Sequence, residues 1–156
     1  MLSGETRTNP SLEIIMDKIC CVEEWGIDWG GSDEIFTWID IDDGKHPLTR
    51  VRVPQATPVA YQAYYSMDAG DAVEVNRSIY RVTDVGPYLQ INVVALDDEW
   101  SEGLTSLVPA APARNDEVIG SAQIRFTQVD DWERGRQHRL RCGGPNACVD
   151  LYFTIK

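Results

Sequence analysis

Cations are scarce in this sequence. Its 156 residues hold 14 Lys and Arg against 25 Asp and Glu, a formal net charge of −11. Binding nucleic acid takes clustered cationic side chains on phosphates, so DNA and RNA drop out as partners. A bare anionic membrane would repel the chain as well, unless bound cations invert the local field. Long apolar runs are missing too: none approaches the roughly 18 residues of a spanning helix. The start shows no basic region followed by an apolar one, the pattern of a secretory signal. Cytoplasmic residence is the default expectation, with non-classical export left open.

His46 and His138 are the only histidines, and the cysteine spacing does not suit a zinc knuckle. Four cysteines are too few for a disulfide scaffold at this length. Cys20 and Cys21 are adjacent in an expected strand, so they would point to opposite faces. Cys142 and Cys148 bracket a turn-rich link, Gly143 to Asn146, that would bring them together in an oxidising compartment; the spacing leaves their pairing open.

What is present is a core cut into strand-length pieces. With 43% hydrophobic residues the chain can bury one domain without staples, expected over residues 11–156 after a loose, polar start over 1–10. Apolar residues dominate Leu12 to Val22, read as a long first strand with Ile14, Met16 and Lys18 on one face and Ile15, Asp17 and Ile19 on the other. Ile35 to Ile41 is the next strand, and Asp42-Asp43-Gly44 is a hairpin turn signal before Leu48 to Val53. Pro58 to Tyr65 is a further strand candidate, with a helical reading open. Ala72 to Val75 and Ile79 to Val82 are two short strands, or one interrupted at Asn76 and Arg77. Tyr88 to Leu96, Val118 to Thr127 and Cys148 to Ile155 complete the set. About eight turn-bounded strands and no amphipathic helix predict an all-β, antiparallel sandwich.

The acids gather where strands end. Asp97, Asp98 and Glu99 stand where Tyr88–Leu96 runs out, and Asn115, Asp116 and Glu117 precede Val118-Ile119-Gly120. A second group lies in the loop after the first strand, with Asp28 and Asp33 around Gly30-Gly31-Ser32. Such clusters repel themselves unless a cation sits among them, and calcium takes six to eight oxygens at about 2.3–2.6 Å from flexible sets of this kind. The competing reading is a solvated acidic loop.

These two loops resemble the first and third calcium loops of C2 domains. In the first, an Asp and a glycine turn lead through Ser32 and Asp33 into the second strand. In the third, Asp97 and Glu99 take the Asp-x-Asp places and Asp116, with Ile119 and Gly120 behind it, the Asp-x-Ile-Gly place. The resemblance extends from about Leu12 to Ile155 and is strongest to divergent bacterial C2-like modules with a Gly-Ser-Asp-Glu signature, here Gly31 to Glu34. It implies an eight-stranded C2-like sandwich that holds Ca2+ through Asp28, Asp33, Asp97, Glu99 and Asp116. Glu34 in place of a common Pro, Glu99 in place of Asp, and the insert Trp100 to Arg114 depart from that pattern and bear on calcium affinity.

The function this implies is a non-enzymatic interaction module that docks on a protein partner, or on a membrane when calcium-loaded. The alternative is a structural subunit of a larger complex in which calcium only rigidifies the loops. A glycosidase pair of carboxylates is disfavoured, because the acids cluster at loops rather than face each other across an aromatic-lined cleft. Trp25, Trp29 and Trp100 lie beside the acids, either to enter an interface or to pack the loop rim. Arg134, Arg136, His138, Arg139 and Arg141 form the only basic run, an internal counterweight, a partner patch or a solvated edge strand.

Overall fold

A computed structural model describes residues 8–23, 33–55, 63–97, 117–145 and 147–156. Nine strands are described: β1 (Leu12–Glu23), β2 (Asp33–Asp42), β3 (Thr49–Val53), β4 (Tyr65–Met67), β5 (Ala72–Val82), β6 (Tyr88–Asp97), β7 (Glu117–Thr127), β8 (Gln137–Gly143) and β9 (Cys148–Ile155). They form two sheets, ordered β5-β1-β9-β8 and β3-β2-β6-β7, with β4 pairing the start of β2, and every strand pair is antiparallel.

Alternation along the strands decides what lies between the sheets. Ile14, Met16, Ile19 and Cys21 of β1 turn inward beside Val149, Leu151, Phe153 and Ile155 of β9. Ile35, Ile39 and Ile41 of β2 and Leu89, Ile91, Val93 and Ala95 of β6 are the buried positions of the other sheet. Each large aliphatic side chain among them contributes about 1.5–3 kcal/mol by leaving water. Thr37 is buried in the same row, and its hydroxyl donates to the Val53 carbonyl at 3.2 Å, so its oxygen is not stranded there.

The expected face pattern of β1 breaks once. A register shift against β9 leaves Asp17 as an extra residue between Met16 and Lys18, so Met16 and Ile19 share the core and Lys18 faces out over the Tyr152 ring. Residues 72–82 form one strand, β5, with Asn76 at φ 47° absorbing an irregularity rather than splitting it. The expected strand Pro58 to Tyr65 lies largely outside the described residues; β4 begins at Tyr65. The basic run is largely edge strand β8, and its guanidinium groups are held within the molecule: Arg134 on Asp131, Arg136 on Glu133 and Arg141 on Asp150. His138 lies between the Phe126 and Phe153 rings, with centroids at 4.6 and 5.5 Å.

A 3-10 segment, Gln128–Glu133, joins β7 to β8, and three consecutive non-glycine residues in it, Asp131, Trp132 and Glu133, have φ of 52°, 51° and 48°. Left-handed backbone costs roughly 1–2 kcal/mol per residue. The Trp132 ring is buried there. Ahead of β1, the Asn9 backbone N–H donates to Asp84 at 2.8 Å and its side-chain amide to the Val85 carbonyl at 2.6 Å.

Candidate functional site

β6 ends at Asp97, and the strands on either side begin beside it: Asp97 pairs with Ile35 of β2 and with Glu117 of β7. The end of β6 and the starts of β2 and β7 therefore stand at the same end of the sheet. Asp97 itself is buried, 4% exposed, on the inward side of its strand. Its Oδ1 accepts the Glu34 backbone N–H at 2.9 Å, so the carboxylate ties the end of β6 to the beginning of β2.

Of the five expected ligands, Asp97 is the one whose side chain is described. Asp33 is placed by its backbone, which opens β2 opposite Met67 of β4, while Asp28, Glu99 and Asp116 lie outside the described residues. Trp25, Trp29 and Trp100 lie outside them as well. Carboxylate oxygen at a strand end is suitable donor chemistry for calcium. Among the described residues, no three His, Cys, Asp or Glu side chains come together as a metal-holding group.

Gly120, read from sequence as part of the calcium-loop pattern, has a packing role. A Cβ there would stand 2.2 Å from the Gly143 backbone nitrogen, so β7 and β8 approach as closely as they do because Gly120 has no side chain. From Gly143 onward the β8–β9 hairpin links the two late cysteines. Register puts Cys142 opposite Val149 and Cys148 opposite Gly143, so the two thiols stand on opposite faces, and both are free. Burial pushes the Cys142 thiol up to about 12. Cys21 is buried and Cys20 half-buried on the other face, as adjacency in a strand requires.

The opposite end of the sandwich holds a carboxylate that composition did not single out. Asp43, in the β2–β3 turn, has a fully buried side chain. Its Oδ1 accepts the backbone N–H groups of Lys45 and His46 at 3.0 and 2.7 Å; its Oδ2 accepts Gly86 N–H at 3.0 Å and meets His46 Nδ1 at 2.6 Å. Burial alone would raise its pKa, but the bonds from His46, Lys45 and Gly86 outweigh it and hold the carboxyl at about 2. The sequence signal available was the Asp-Asp-Gly turn, which gave the turn but not which aspartate would go inside.

No protein-family model and no curated protein sequence matches the chain. Solved structures do resemble it. C2 domain A of plant extended synaptotagmin 1 superposes with a TM-score of 0.50 over 97% of both chains, at 12% identity. The fold is C2-like. A C2 domain protein from Ramazzottius varieornatus covers 95% of this chain and 89% of its own at 15% identity and a TM-score of 0.46. Human GIVD cytosolic phospholipase A2 matches 96% of this chain with 17% of its own length, at 8% identity and a TM-score of 0.48. At such identities a likeness speaks for architecture alone, and function has to be argued from this chain's own residues.

Proposed function

We propose that this C2-like domain is a calcium-binding, non-enzymatic interaction module that docks through its acidic loop end on a protein partner. Calcium would be held by Asp28, Asp33, Asp97, Glu99 and Asp116. The observation that carries the reading is the row Ile35–Asp97–Glu117, which sets the starts of β2 and β7 beside the end of β6 and so supports a shared site for the acids next to them in sequence. The formal charge of −11 adds to it, because a cation relieves repulsion that the chain's scarce Lys and Arg leave in place. A membrane is the second target, reached only when calcium has reversed the local field.

Calorimetric calcium titration of chelator-treated protein tests the metal. Saturable binding that stabilises the fold by about 2.7 kcal/mol at a hundredfold excess over Kd is expected, and Asp97→Asn should remove most of it. Absence of binding heat, together with an unchanged melting temperature, sinks the reading. Pull-down with and without calcium, beside co-sedimentation with anionic vesicles, then separates a protein target from a lipid one.

A further inference from the structure

The outward face of the β3-β2-β6-β7 sheet lies apart from the acidic loop end and carries an exposed aromatic ring among polar side chains. Trp38 stands on it 40% exposed, opposite Val94 of β6, which in turn lies opposite Ser121 of β7. The next row carries Asn92 opposite Gln123. Between β6 and β7, Asn92, Val94, Ser121 and Gln123 lie along an open groove of about 330 Å³, and Trp38 stands beside it as the neighbour of Val94.

The polar groups in that groove are pre-oriented and point one way. The Gln90 amide nitrogen donates to Asn92 Oδ1 at 2.9 Å and approaches Gln123 Oε1 at 3.5 Å, so the oxygens of both amides face Gln90. Gln90 is fixed in turn by Arg125, whose Nε donates to its Oε1 at 2.7 Å and whose guanidinium lies 4.1 Å above the Tyr88 ring. That leaves the amide nitrogens of Asn92 and Gln123 as donors toward the groove, with the Ser121 hydroxyl as donor and acceptor.

Charge narrows the occupant. On a chain this acidic the face is balanced, with Glu34, Asp40 and Asp42 set against Arg50, Arg52 and Arg125. Arg50 is committed to Asp40 through bonds of 2.7 and 2.9 Å, and Arg52 lies over Phe36 at 4.4 Å, so these guanidinium groups are engaged within the sheet rather than held out for a phosphate or carboxylate. A neutral surface with an aromatic plate beside amides and a hydroxyl complements a sugar ring, which has an apolar C–H face and a rim of hydroxyl groups. We infer that this sheet face binds a neutral glycan chain, with one ring stacked on Trp38 and its hydroxyls meeting Asn92, Ser121 and Gln123.

Affinity electrophoresis of the whole chain through native gels containing a soluble β-glucan, a mannan or dextran tests this, with an anionic polysaccharide gel alongside. Retardation is expected in at least one neutral gel, unchanged by chelator. Trp38→Ala should weaken it about tenfold or more, and Asn92→Ala or Gln123→Ala several-fold, with circular dichroism unaltered. Trp38→Phe should retain part of the binding, since a flat ring remains. Three results overturn the inference: no retardation in any neutral gel, retardation indifferent to Trp38→Ala, or retardation that needs calcium and disappears in Asp97→Asn. The last would assign the glycan to the loop end, and calcium calorimetry reads that end independently.

Discussion

The two ends of the sandwich treat a buried carboxylate in different ways. β2 spans them, from Asp33 at one end to Asp42 at the other, about 30 Å at the usual rise per residue. At the turn end, Asp43 is surrounded by donors that the chain itself supplies: the backbone amides of Lys45, His46 and Gly86 and the His46 ring. Around it, Lys45 pairs with Asp84 and Asn9 holds Asp84 and Val85, so three segments are tied to one node. At the loop end, Asp97 bonds to Glu34 and stands in a row with the starts of β2 and β7, in a region where acids recur along the sequence. A carboxylate saturated by backbone N–H groups is a structural lock. Asp97 is the carboxylate that the proposed calcium site would use.

The sharpest way to break this comparison is Asp43→Ala. It leaves buried N–H groups without an acceptor and should lower stability by roughly 3 kcal/mol, read as a fall in the denaturant midpoint. A loss no larger than that of an exposed Asp→Ala control would show that the node is ornamental. Acid should act on the same lock. Because folding lowers the Asp43 pKa from 3.8 to about 2, its contribution is complete above about pH 4 and disappears as pH falls toward 2, a change of about 2 kcal/mol. Denaturation curves across that window should be steeper in pH for the wild type than for Asp43→Ala.

Gly120→Ala probes the seam beside the loop end. The added methyl meets backbone rather than a flexible side chain, so a cost of about 1–3 kcal/mol is expected, and thermal unfolding measures it. Asp150→Ala removes the carboxylate that takes two bonds from Arg141, at 2.8 and 2.9 Å. Arg141 is half in solvent, so the loss should be smaller than at Asp43 and should shrink in high salt. The smallest expected effect sharpens the contrast between packing and binding: Trp38→Ala should move the melting temperature little, within about 0.5 kcal/mol, because the ring lies outside the core. A large destabilisation would turn that tryptophan from a ligand plate into a structural residue.

Sequence alone determined the class of fold, and period-2 burial is the reason. Ile39 and Ile41, or Leu151, Phe153 and Ile155, can reach one core only from alternating strand positions, and the Asp-Asp-Gly and Gly-Pro punctuation limits strand length. It also marked where acids accumulate, since charge is local information. What only tertiary structure decided is pairing across distance. Asp17 became an extra residue because Met16 and Lys18 of β1 pair with adjacent residues of β9, Phe153 and Tyr152. Gly120 became a contact because Gly143, remote in the chain, lies against it. Asp43 rather than Asp42 became the buried anchor because Gly86, 43 residues away, offers it a backbone N–H. Trp38 and Asn92 share a face because β2 and β6 pair in one register. A residue's neighbours across a sheet depend on strand order and register, and no local pattern encodes either.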